Sequence, residues 1–80
     1  MNKNMLYRSI PKVDVLLEDE AIQEMIEHYS RETVMEAIHV EMDKLRRYIG
    51  ECDEEAQARH RIDHLTERVE MTVSAMHTPN

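Results

Sequence analysis

The chain has no phenylalanine and no tryptophan, only one glycine, two prolines and one cysteine. The lack of turn glycines and large aromatics argues against a strand-rich domain, which needs both turn residues and aromatic or β-branched runs. A single cysteine, Cys52, excludes an internal disulfide, and a reducing compartment suits it, so the cytoplasm is the expected location. No apolar h-region precedes Pro11, so a secretory signal is not expected there. Charges interrupt every apolar stretch, so no membrane-spanning helix and no membrane partner are expected.

What is present favours helices. Glu, Met, Ala, Leu, Arg and Lys dominate, and all are good helix formers. Hydrophobic residues make up 41% of the 80 positions, enough for a modest core, and seven methionines must do much of the filling. A chain of this size is expected to form one small domain at most, or a piece of a larger chain, with modest stability. The net charge of −7 argues against nonspecific nucleic-acid binding, which depends on Lys and Arg meeting phosphate.

The apolar spacing predicts an all-α fold, a small bundle of two short helices followed by a long antiparallel helical hairpin. Residues 1–9 are expected as a loose arm, 10–77 as the helical domain and 78–80 as the start of a linker. Ser9 and Pro11 suit a helix start, giving a first helix over 11–17 with Val13, Leu16 and Leu17 on one face. Asp19 can cap a second helix bearing Ile22, Met25, Ile26 and Tyr29. Ser30 can cap a third, with Val34, Ile38, Met42, Leu45 and Ile49 in one stripe and Gly50 as its stop. Asp53 can cap a fourth, in which Ala58, Ile62, Leu65, Val69, Thr72 and Met76 follow a seven-residue repeat suited to packing on the third. Pro79 is expected to end it.

No constellation points to catalysis within these residues. His60 and His64 stand four apart but opposite the apolar seam, which favours a solvated face over a metal site. Cys52 has no recognisable base-and-orienter partners, and no phosphate loop, nucleophile elbow or cofactor-lysine motif occurs. The remaining signal is basic. Lys3, Arg8 and Lys12 occur in the first twelve residues, which contain no acid. Lys44, Arg46 and Arg47 cluster late in the third helix, Arg31 begins it, and Arg59 and Arg61 fall early in the fourth. Antiparallel packing would gather Lys44, Arg46, Arg47, Arg59 and Arg61 into one positive zone. The plainer alternative is ordinary solvated charge in ion pairs worth about 0.2–0.5 kcal/mol each.

The opening Tyr7-Arg8-Ser9-Ile10-Pro11-Lys12-Val13-Asp14-Val15-Leu16-Leu17 resembles the start of the bacterial selenocysteine synthase family, the L-seryl-tRNA(Sec) selenium transferases. The likeness continues through His28-Tyr29-Ser30-Arg31, where Ser30 replaces the usual Gly, and Glu32-Thr33-Val34-Met35-Glu36-Ala37-Ile38 to Asp43-Lys44-Leu45-Arg46-Arg47. It covers roughly residues 7–50. The resemblance implies an N-terminal helical domain, with a large domain beginning shortly after a segment like 76–80. That domain would hold pyridoxal phosphate; no cofactor is expected within these 80 residues.

The family converts seryl-tRNA(Sec) to selenocysteinyl-tRNA(Sec) with selenophosphate. The resemblance therefore implies a module that helps select tRNA(Sec) by its D-arm, within a large homo-oligomer. Arg8, Lys12, Arg31, Lys44, Arg46 and Arg47 are the candidate phosphate or sugar contacts. Two other roles stay open: an acidic helical protein–protein module pairing through the heptad, and a tether that orders the large domain without touching RNA.

Overall fold

A computed structural model describes residues 2–77; the expected linker at 78–80 and the stop at Pro79 lie outside the described residues. The chain is all-α. Its elements are α1 (Lys3–Arg8), α2 (Val13–Leu17), α3 (Glu20–His28), α4 (Arg31–Glu51), α5 (Glu55–Asp63) and α6 (Leu65–His77). No strand and no helix long and apolar enough to cross a membrane occurs among the described residues.

Local chemistry sets most of the boundaries. The Asp19 carboxylate accepts from the Ala21 amide at 2.9 Å and starts α3. Ser30 Oγ accepts from the Thr33 amide at 3.1 Å and starts α4. Pro11 stands ahead of α2, whose N-cap is Lys12 in an extended conformation without a side-chain cap bond. At the start of α5 the cap is Glu54 rather than Asp53, and there too no side-chain cap bond forms. Cys52, buried, donates from Sγ to the Glu54 carbonyl at 3.1 Å and holds the turn between the hairpin's arms.

Four expectations change. Residues 3–8 are not a loose arm. Asn2 caps them, and Leu6 is completely buried in the core. Ser9 closes α1 instead of opening α2, its hydroxyl donating to the Met5 carbonyl at 2.9 Å. Gly50 does not stop α4, which runs to Glu51 without any positive φ among the described residues. A Cβ on Gly50 would sit 3.3 Å from the Tyr7 hydroxyl, so the missing side chain leaves room for the mobile tip of Tyr7. Finally, the fourth helix breaks at His64, which separates α5 from α6.

The hairpin is antiparallel, as contacts from opposite ends show. Tyr29 meets His77 edge to face at 4.9 Å between centroids, Glu41 meets Arg68 and Thr72, and Tyr48 meets Arg61 and Gln57. Along that seam Ala58, Ile62, Leu65, Val69 and Val73 are buried, whereas Met76 is exposed. The heptad expected Thr72 and Met76 there. Past the break the fully buried position is Val73, four residues after Val69, and Thr72 is half-buried with its hydroxyl donating to Glu41 of α4.

One core cluster joins all six helices, with Val34, Ala37, Ile38, Leu45 and Ile49 of α4 at its centre. α4 packs against α1, α3, α5 and α6. Lys3 Nζ donates to the Gly50 carbonyl at 2.6 Å, placing a cation at the negative end of α4. α1 thus lies antiparallel to the end of α4, and its last turn comes beside Arg46.

Candidate nucleic-acid interface

The sharp turn between α1 and α2 positions the first group of cations. Tyr7, Arg8, Ile10, Pro11, Lys12 and Val13 form one wall of a surface groove, and Met42 and Arg46 of α4 form the other. The Tyr7 hydroxyl donates to the Arg46 carbonyl at 3.5 Å, a long and weak bond between the two walls. No carboxylate lines this groove. Arg8 and Lys12 make no ion pair among the described residues. Arg46 pairs with Asp43 at 3.2 Å, but both groups are more than half exposed. Such a surface pair contributes about 0.2–1 kcal/mol, small enough for a phosphate to displace.

Lys44 and Arg47 point away from this groove. They line a second one with Tyr48, Glu51, Arg61 and Arg68. Arg59, expected in the same zone, instead pairs with Glu55 at 3.5 Å and does not line it. Arg31 stands fifteen residues before Arg46 on α4, about 22 Å along the axis at 1.5 Å per residue. The six expected contacts therefore form two groups and one outlier, not a single patch.

Two residues escaped the sequence reading. Arg68 falls seven residues after Arg61, across the break at His64, and both line the second groove. Glu41 is the one buried charged residue among those described, at 2% exposure. Its position three after Ile38 and four before Leu45 put it inside the apolar stripe. Glu41 accepts from Arg68 Nε at 3.1 Å and from Thr72 Oγ1 at 2.6 Å, and Lys44 Nζ lies 3.5 Å away. Burial pushes this carboxyl's pKa up. The Thr72 and Arg68 hydrogen bonds and the charges of Lys44 and Arg68 outweigh burial and hold it below the ordinary value.

The acids lie mainly elsewhere. From Val13 to Ser30 there are six carboxylates and no Lys or Arg. The charge of −7 is thus unevenly distributed: α2–α3 is acidic, whereas residues 41–51 of α4 carry three cations and three carboxylates, one of them the buried Glu41. His60 and His64 are exposed, their rings 4.1 Å apart, and no group of three or more metal-ligating side chains occurs among the described residues.

The fold and grooves define a small all-α domain with a cationic surface built around one long helix. The family described as Selenocysteine synthase N terminal matches residues 7–46, half of the chain, and the chain belongs to that family. Its role lies in selenocysteine synthesis, as part of an enzyme. The match begins at Tyr7 and ends at Arg46, and every residue lining the first groove falls within it. No curated protein and no solved structure matches the chain.

The lysines present do not fit a pyridoxal phosphate anchor. A Schiff-base lysine needs a desolvated amine in a pocket that also holds the cofactor phosphate. Lys12 is exposed, Lys44 is half-exposed beside Glu41, and Lys3 is committed to the Gly50 carbonyl.

Proposed function

We propose that this domain recognises tRNA(Sec) for the selenium transferase, the first groove receiving a run of its sugar–phosphate backbone. The observation that carries this reading is the convergence of Arg8, Lys12 and Arg46 on one groove free of carboxylates, within the family-matching segment. Cations on a rigid wall position a folded RNA through its phosphates, and the acidic remainder of the surface repels other polyanions and wrong registers. Lys44 and Arg47 contact backbone on the other side of α4, and Arg31 touches a separate stretch at its remote end. D-arm selection then follows from shape, because A-form stems present sugar and phosphate rather than readable base edges in the deep groove.

In this reading the pyridoxal phosphate chemistry belongs to the large domain of the same enzyme, which works as a homo-oligomer in the cytoplasm. Several weak domain contacts then add through that assembly. The protein–protein alternative loses its main support, because Ile62, Leu65 and Val69 are buried in the chain's own core.

The test is a titration of the chain with tRNA(Sec), and with a version whose D-stem is shortened. The variant Arg8→Glu/Lys12→Glu/Arg46→Glu should bind tRNA(Sec) at least about tenfold more weakly, with a flatter salt dependence. Affinity equal to that of the unaltered chain, or no preference for the intact D-stem, overturns the reading.

A further inference from the structure

The C-terminal half of α4 carries cations on two flanks. With about 100° of turn per residue, Arg46 and Lys44 project roughly 160° apart. Arg46 borders the groove against α1–α2, whereas Lys44 and Arg47 border the groove against α5–α6.

The second groove is built more firmly than chance surface charge would be. The Arg61 guanidinium lies 4.4 Å from the centroid of the Tyr48 ring, a cation–π contact that fixes its plane. Arg61 Nε is buried without a hydrogen-bond partner, and Arg61 makes no ion pair among the described residues. The Tyr48 hydroxyl donates to Gln57 at 3.3 Å, which holds the platform itself. Partial burial and the nearby Cys52 push that hydroxyl's pKa up, so it keeps its proton. Glu41, from within the core, holds Arg68 and Lys44. Four cations line the groove with one carboxylate, Glu51; Lys44 and Arg68 pair with Glu41, whereas Arg47, Arg61 and Glu51 make no ion pair among the described residues.

We propose that this second groove is a phosphate-binding surface for the opposite strand of the same RNA stem, so that α4 is gripped between the two strands of a double helix. The inference rests on the RNA-recognition reading above and specifies its geometry. A helix with side chains is about 10–12 Å across, and only the wide, shallow minor groove of A-form RNA offers two backbones to a body of that size. Between the flanks Asp43 stands exposed on α4, a carboxylate that can accept from the 2′-hydroxyls lining that groove. A single strand would engage one flank only.

The experiment uses the chain with three probes: tRNA(Sec), a short blunt RNA duplex and one strand of that duplex. The second-groove variant is Arg47→Glu/Arg61→Met, in which methionine keeps packing on Tyr48 without the charge; thermal melting checks that it folds. Duplex and tRNA(Sec) affinity should each fall about tenfold and the salt slope by about two, with less than a twofold change for the single strand. If tRNA(Sec) and duplex affinity stay unchanged while the Arg8/Lys12/Arg46 variant loses binding, recognition stands and the two-strand grip falls. Equal losses for duplex and single strand also overturn the grip. If neither variant changes binding, the recognition reading itself fails.

Discussion

Glu41 shows how one residue links stability to the basic surface. It is buried, yet it stays charged because Thr72 and Arg68 donate to it and Lys44 stands nearby. Its folded pKa is lowered relative to the ordinary 4.5. As pH falls, the unfolded chain therefore takes up this proton before the folded one does. The stabilisation is complete above the unfolded pKa and is lost as pH drops through the lower folded value. Glu41→Gln should cost about 1–2 kcal/mol at neutral pH, since it removes charge-assisted bonds while Arg68 can still reach water. Urea melts across the acid range should show less loss of stability below the ordinary carboxylate pKa in Glu41→Gln than in the unaltered chain. Parallel acid profiles would show that Glu41 does not carry the effect. The variant should also loosen Arg68 and Lys44, and so weaken duplex binding further than its stability change explains.

At the scale of the elements, α1 is the sharpest case. Its six residues are too few to form a helix alone, and only docking on α4 makes it one. Leu6→Ala should cost about 2–4 kcal/mol by opening a cavity in a fully buried site, and should raise amide exchange over 3–8 before anywhere else. A loose arm would show no change in either. Gly50→Ala tests the same contact from the other side. Alanine favours the helix by up to about 1 kcal/mol, but its Cβ meets the Tyr7 hydroxyl, the mobile end of a half-exposed side chain. A net gain of about 0.5 kcal/mol is expected, accompanied by loss of the Tyr7 bond to Arg46.

These elements also show what the sequence could reveal. The starts of α3 and α4 were legible because Asp19 and Ser30 act on amides two and three residues ahead. The α4 stripe was legible because its five positions repeat over about four turns. α1 was not, because Lys3 and Tyr7 find their α4 partners 47 and 39 residues away. The break at His64 was hidden because the apolar repeat runs through it. The cations of the interface were all visible as letters, and Arg46 and Arg47 as neighbours. Their division between two grooves came from α1–α2 lining one groove beside α4 and α5–α6 lining the other, which no local spacing encodes.

At the scale of the whole molecule, net charge and function pull in opposite directions. A chain of net charge −7 repels itself, most strongly along α2–α3, where six carboxylates have no intervening Lys or Arg. Added salt screens that repulsion, while the buried Glu41 cluster is screened far less. Raising salt from roughly 50 to 200 mM should therefore lift the melting temperature by a few degrees. The same change should weaken RNA binding. Releasing counterions from about five phosphate contacts implies a loss of roughly two to three orders of magnitude in affinity over that range. Thermal melts and anisotropy titrations on the same samples check both signs at once. Affinity that tracked stability upward with salt would mean that the domain holds its partner through apolar surface, and that the cations around α4 are solvated charge after all.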